Sequence, residues 1–102
     1  MRPYQHYRLR HRKPKPCSLI EWTESFNCYN RYIRQTHLPN YHVSTVFLGL
    51  EHIGGMFETI IFSKLDNDLD GYIIRSETHR GALKNHLDFK KMIKLKTKIN
   101  QH

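Results

Sequence analysis

The sequence is short of several things. It has two cysteines, five glycines and nine acidic residues among 102. Hydrophobic residues make up 38% of it, below the ~45–50% of an average soluble domain. No apolar run approaches the ~20 residues of a membrane span, so no membrane partner is expected. No apolar stretch follows the basic residues after Met1, so a secretory signal is not expected either. Cys17 and Cys28 are too few for a disulfide scaffold, and their spacing matches no metal motif. Reduced thiols in a cytoplasm are the expectation. Gly54-Gly55 lacks the lysine and the strand–helix setting of a phosphate loop. With no serine elbow and no zinc spacing, the chain shows no complete catalytic set, and no cofactor is expected. A chain of this length supports one modest core.

Positive charge is what the sequence has in excess. Seventeen Lys and Arg stand against nine acids, for a net charge of +8 with eight histidines uncounted. Six of the seventeen lie in residues 1–16, which hold no acid; residues 17–102 hold the other eleven and all nine acids, or +2. The segment MRPYQHYRLRHRKPKP has three prolines and no apolar periodicity. It reads as a basic arm, disordered when free. Within it Arg8, Arg10, Arg12, Lys13 and Lys15 alternate with Tyr4, His6, Tyr7 and His11. Cations interleaved with aromatic rings suit phosphate contact combined with base stacking. The expected partner is therefore a polyanion such as nucleic acid, or else a protein. The bland alternative is a solvated arm that only aids solubility. A second basic cluster, Lys90, Lys91, Lys94, Lys96 and Lys98, lies where a helix C-terminus favours cations in any case.

Residues 17–102 read as a single small α+β domain. Ser18-Leu19-Ile20-Glu21 has the form of a helix capping box, and Trp22, Phe26 and Tyr29 recur at helical spacing, which predicts a helix over about 19–29. Strands are predicted at 31–36, 43–50, 57–62 and 71–75, the second being the most β-branched and apolar. Ser76-Glu77-Thr78 can cap a last helix over about 78–95, whose apolar stripe is Ala82, His86, Phe89 and Ile93. The predicted order is α-β-β-β-β-α, a four-stranded antiparallel sheet with an N-terminal and a C-terminal helix packed on it.

Two constellations could carry chemistry. Asp66 through Glu77 fits the calcium loop of an EF-hand, with Asp66, Asp68 and Asp70 as carboxylate ligands, Gly71 at the turn, the Tyr72 carbonyl and Glu77 as a bidentate ligand. An EF-hand needs a helix entering that loop, whereas Phe57–Phe62 favours a strand. The alternative is an acidic solvated turn. The second set is Glu51, His52, Glu58 and His86. Two imidazoles and two carboxylates converging in space could bind a metal or exchange protons. The alternatives are a hydrogen-bonded core histidine at His86 and an arginine partner for Glu58.

Val43-Ser44-Thr45-Val46-Phe47-Leu48-Gly49-Leu50-Glu51-His52 resembles a strand motif, V-S-T-V-F-L-G-L-D-H, of a group of small uncharacterised bacteriophage proteins. In that group F-E-T-M-x-F follows, then an R-Y-x-T-like stretch and an A-x-x-G-H helix. Phe57–Phe62, Tyr72–Thr78 and Ala82–His86 match these blocks in order, so the resemblance covers about residues 20–93. Here Glu51 stands for Asp, Ile60 for Met and Asn85 for Gly, the loop after His52 is short, and the basic arm lies outside the resemblance. It implies strands around 57–62 and draws attention to His52, Glu58 and His86. It implies a phage lineage; with the basic arm and the lack of a complete catalytic set, the expectation is a small phage accessory protein that acts in the host bacterial cytoplasm by binding a host protein or nucleic acid. The resemblance implies no particular activity.

Overall fold

The computed structural model describes residues 5–26, 31–51 and 53–99. The chain runs β1 (His6–Arg10), β2 (Lys13–Cys17), α1 (Leu19–Phe26), β3 (Tyr32–Leu38), β4 (Tyr41–Phe47), β5 (Phe57–Phe62), β6 (Ile73–Ser76) and α2 (His79–Ile99). The strands form a four-stranded antiparallel sheet in the order β3-β4-β5-β6 and a separate two-stranded sheet of β1 and β2. The fold is thus α+β with a four-stranded antiparallel sheet and a C-terminal helix. The small N-terminal sheet and the resulting order depart from the prediction.

Alternation along the central strands decides which face is covered. Val43, Thr45 and Phe47 of β4 are buried, as are Phe57, Thr59 and Ile61 of β5. Successive strand residues point to opposite faces, so these six share one face. The α2 stripe of Ala82, His86, Phe89 and Ile93, all buried, packs against it. Val43, Ile61, Phe89 and Ile93 form one cluster with Leu69, which the acidic loop folds back into the core. Phe47, Phe57 and Ala82 form a second cluster, on which Tyr7 and Leu9 of β1 pack.

The last contact explains why the basic segment has structure. Tyr7 and Leu9 face Pro16 and Pro14 across the hairpin, giving it one apolar side that docks on the core. The Tyr7 N–H donates to the Gly49 carbonyl at 2.8 Å, and His6 bridges to Leu50. The arm expected to be disordered is a β-hairpin stitched to the chain that leaves β4.

The capping box forms as read: the Ser18 N–H donates to Glu21 Oε1 at 3.3 Å and the Glu21 N–H to Ser18 Oγ at 3.1 Å. The helix it starts does not cover the sheet as predicted. It packs against β1, and its Trp22 indole donates to the Leu48 carbonyl at 3.2 Å. The expected helical residues beyond Phe26, including Tyr29, lie outside the described residues. Gly49 sits where Trp22, Tyr7 and the end of β4 meet. Its φ is +73°, and a Cβ there would collide with the Trp22 ring and the Tyr7 carbonyl. Thr78 caps α2 through its Oγ1, which accepts from the Gly81 N–H at 3.0 Å. No helix among the described residues is long and apolar enough to cross a membrane.

Candidate nucleic-acid interface

The hairpin register places like charges opposite one another. Arg8 faces Lys15 and Arg10 faces Lys13. Directly opposed residues share a face, so these four cations form one patch on the side away from Tyr7 and Leu9. Arg8 alone among them is paired within the described residues, to Glu21 at 3.1 Å. Glu21 is held below its ordinary range, first by the Ser18 N–H, then by the Ser18 hydroxyl and then by Arg8. Arg10, Lys13 and Lys15 are exposed. His11 and Arg12 form the turn between the strands, and both have positive φ, 53° and 67°. A two-residue turn of this hand normally carries Asn-Gly or Asp-Gly, because other residues are strained there. A cationic face and a strained cationic turn therefore coincide. The hairpin backbone lines a shallow groove with Arg8, Arg10, His11, Lys13, Lys15 and Pro16.

Of the rings in the sequence expectation, His11 lines this groove, whereas Tyr7 and His6 are engaged elsewhere. The Tyr7 hydroxyl donates to Glu51 Oε1 at 2.8 Å, and that bond raises the phenol's pKa. The ring packs on the Phe47–Phe57 cluster. His6 lies against Trp22, 5.1 Å between centroids. Tyr4 lies outside the described residues.

The acid–base set is not assembled. Glu58 and His86 are on opposite faces of the sheet, because Glu58 points away from the face that Phe57 and Thr59 share with α2. Glu58 is bound by Arg75 from β6, whose Nε and Nη2 donate to one oxygen, Oε2, at 3.1 and 2.9 Å. His86 is fully buried. Its Nδ1 lies 2.8 Å from Thr45 Oγ1 and its Nε2 2.8 Å from Thr36 Oγ1. Thr45 Oγ1 also meets Thr59 Oγ1 at 2.8 Å. This chain of hydroxyls satisfies a neutral imidazole. Burial, reinforced by Arg34, Lys90 and His42, pushes its pKa down to about 4. The two halves of the set serve the core and an ion pair. Glu51 is taken up by Tyr7, and His52 lies outside the described residues.

The acidic loop is likewise occupied from within. Asp66 accepts from Tyr41 Oη at 2.7 Å and pairs with Lys96 of α2 at 2.7 Å. Its Oδ1 accepts the Asp68 and Leu69 N–H groups at 3.0 and 3.2 Å. These bonds, Lys96 first, lower its pKa to about 2. Asp70 accepts the Ser63 N–H at 2.8 Å. Asp68 is exposed and 3.6 Å from Lys96, and Glu77 lies exposed between β6 and α2. Strand β5, not a helix, leads into the loop. No group of three or more His, Cys, Asp or Glu placed to hold a metal ion occurs among the described residues.

The threonine network was missed by the sequence reading, although it left a signal. Thr45 and Thr59 interrupt apolar alternation at inward positions, facing the stripe whose one polar member is His86. Comparison with protein-family models, curated proteins and solved structures finds no match.

Proposed function

We propose that this protein binds the phosphate backbone of nucleic acid through the outer face of its N-terminal hairpin. The observation that carries the reading is the cross-strand stacking of like charges, Arg8 with Lys15 and Arg10 with Lys13, beside the strained His11-Arg12 turn. Opposed like charges destabilise a hairpin. Their repulsion falls when a polyanion is bound, and released counterions add to the affinity. Arg10, Arg12, Lys13 and Lys15 supply the contacts. Arg8 contributes while sharing its charge with Glu21. Since Tyr7 is turned inward, binding depends on phosphates and is independent of base sequence. Given the resemblance of about residues 20–93 to small bacteriophage proteins, the setting we propose is the cytoplasm of an infected bacterium.

Fluorescence anisotropy with a labelled random-sequence oligonucleotide tests this reading. The full chain is compared with an Arg10→Gln, Arg12→Gln, Lys13→Gln, Lys15→Gln variant. The reading expects binding by the first and loss of at least tenfold in the second. Equal affinities, or binding of a host protein that neither salt nor the variant weakens, would contradict it.

A further inference from the structure

Helix α2 carries a second row of cations that the hairpin does not need. Arg80, Lys84, Lys91 and Lys98 lie within about 40° of one another at 100° per residue, opposite the buried Ala82–Ile93 stripe. All four are exposed. None has an ion pair among the described residues, whereas Lys96, on the flank of the helix, is the lysine that closes on Asp66.

Helix stability accounts for Lys98, in the last turn, but not for Arg80 in the first. Cations are favoured in the last turn and disfavoured in the first. Yet the first turn of α2 has no acid and holds His79 and Arg80. Within the row, Arg80 and Lys84 place like charges four residues apart, which destabilises a helix.

The row and the hairpin face the same way. The underside of the hairpin, Tyr7 and Leu9, and the underside of α2, Ala82, pack on one cluster with Phe47 and Phe57. Both elements therefore lie on one side of the sheet, and their outer faces point away from it together. The hairpin tip, His11 to Pro14, lines a groove with Thr78, His79, Arg80 and Leu83, so the two cationic surfaces meet at the start of α2. Three acids border them: Glu21, paired with Arg8 of the hairpin, Glu77 in that groove and Asp88 on the helix flank. From Arg80 to Lys98 the row runs about 27 Å. The whole molecule is 52 Å long.

We infer that the hairpin and the outer face of α2 form one track for a double-stranded nucleic acid, contacted through its phosphates. This rests on the proposed function and adds the ligand's form and the second half of the site. A straight row of cations on a rigid helix suits a stiff polymer, and duplex DNA persists over ~150 base pairs. Single strands are held by aromatic stacking platforms. On this track the described rings are Tyr7, turned inward, His6, packed on Trp22, His79, set edge-on against Phe57, and His11 at the tip.

The test uses the full chain with labelled 8-bp and 16-bp DNA duplexes, a 16-bp RNA duplex and a 16-nucleotide single strand. At 3.4 Å per pair these duplexes span about 27 and 54 Å. The 16-bp duplex is expected to bind more than tenfold tighter than the 8-bp one, and tighter than the single strand. DNA and RNA duplexes both support the track, and their ratio shows which helix it fits. A Lys84→Gln, Lys91→Gln, Lys98→Gln variant, with melting unchanged, is expected to lose the length gain. Its log K against log[salt] slope should become shallower by about three, roughly one per lysine. A wild-type slope and affinity in that variant overturn the track while leaving the hairpin reading intact, provided the hairpin variant has lost binding. A single strand that binds tighter than the duplex also overturns it. No binding to any of the four probes overturns both.

Discussion

Arg10 faces Lys13 directly across the hairpin, at the two ends of a turn whose residues His11 and Arg12 both have positive φ. This arrangement opposes the folding of the hairpin. The docking of Tyr7 and Leu9 on Phe47 and Phe57 holds it in place.

The first prediction concerns that opposition. Replacing Arg10 or Lys13 with Thr removes one like-charge pair and adds a residue suited to strands. Stability should rise by about 0.2–1 kcal/mol, seen as a higher melting temperature at low salt. The gain should shrink as salt is added, because screening already relieves the wild type. The same substitutions should weaken oligonucleotide binding. A fall in melting temperature would contradict the assignment of these residues to a repulsive face.

The second concerns His86. An imidazole with a pKa of about 4 in the fold and about 6.5 in the unfolded chain is protonated first when unfolded. Its contribution is therefore complete above pH 6.5 and falls as pH drops from 6.5 towards 4. The loss across that window is roughly 3 kcal/mol. Urea unfolding at pH 7, 5.5 and 4.5 measures it. A Thr45→Val variant should lose about 1–3 kcal/mol at pH 7, since it strips a hydrogen-bond partner from both His86 and Thr59.

The third concerns the clasp between the acidic loop and α2. Asp66, held at about 2, stabilises the fold above its unfolded pKa near 3.9, and that contribution disappears as pH falls towards 2. Lys96→Met should lower the melting temperature more at pH 7 than at pH 2.5. Calcium should leave the melting temperature of the wild type unchanged, because Lys96 and Tyr41 already hold the Asp66 carboxylate. A rise in millimolar calcium would show a site there.

The fourth concerns the hairpin's attachment. Gly49→Ala places a methyl group into Trp22 and the Tyr7 carbonyl at positive φ. It should expose backbone amides of residues 6–10 to hydrogen exchange while those of β4 and β5 stay protected. Uniform loss of protection, or none, would contradict a docked hairpin as a separable unit.

Much of the fold was readable, for definite reasons. The α2 stripe combines helical spacing with Ala, Phe and Ile, and all its members are buried. The two capping motifs act locally, so they needed no tertiary information. The hairpin was hidden because its alternation has just two inward apolar side chains, Tyr7 and Leu9. Two of its positions are prolines, and its turn is His-Arg rather than a glycine pair. Charge composition dominated, and tertiary docking overrode it. The separation of Glu58 from His86 was latent in the strand pattern. Phe57, Thr59 and Ile61 share a face, so Glu58 cannot. Reading the candidate set as one site required ignoring that alternation.

Salt dependence of binding to a 16-bp duplex measures the central claim most directly. Hairpin contacts through Arg10, Arg12, Lys13 and Lys15 alone predict a log K against log[salt] slope of about −3.6, and the helix row about doubles it. The expected wild-type slope therefore lies between about −4 and −7, becoming shallower as cations of either surface are removed. A slope near zero, with affinity unchanged between 50 and 200 mM salt, would contradict a phosphate-binding face.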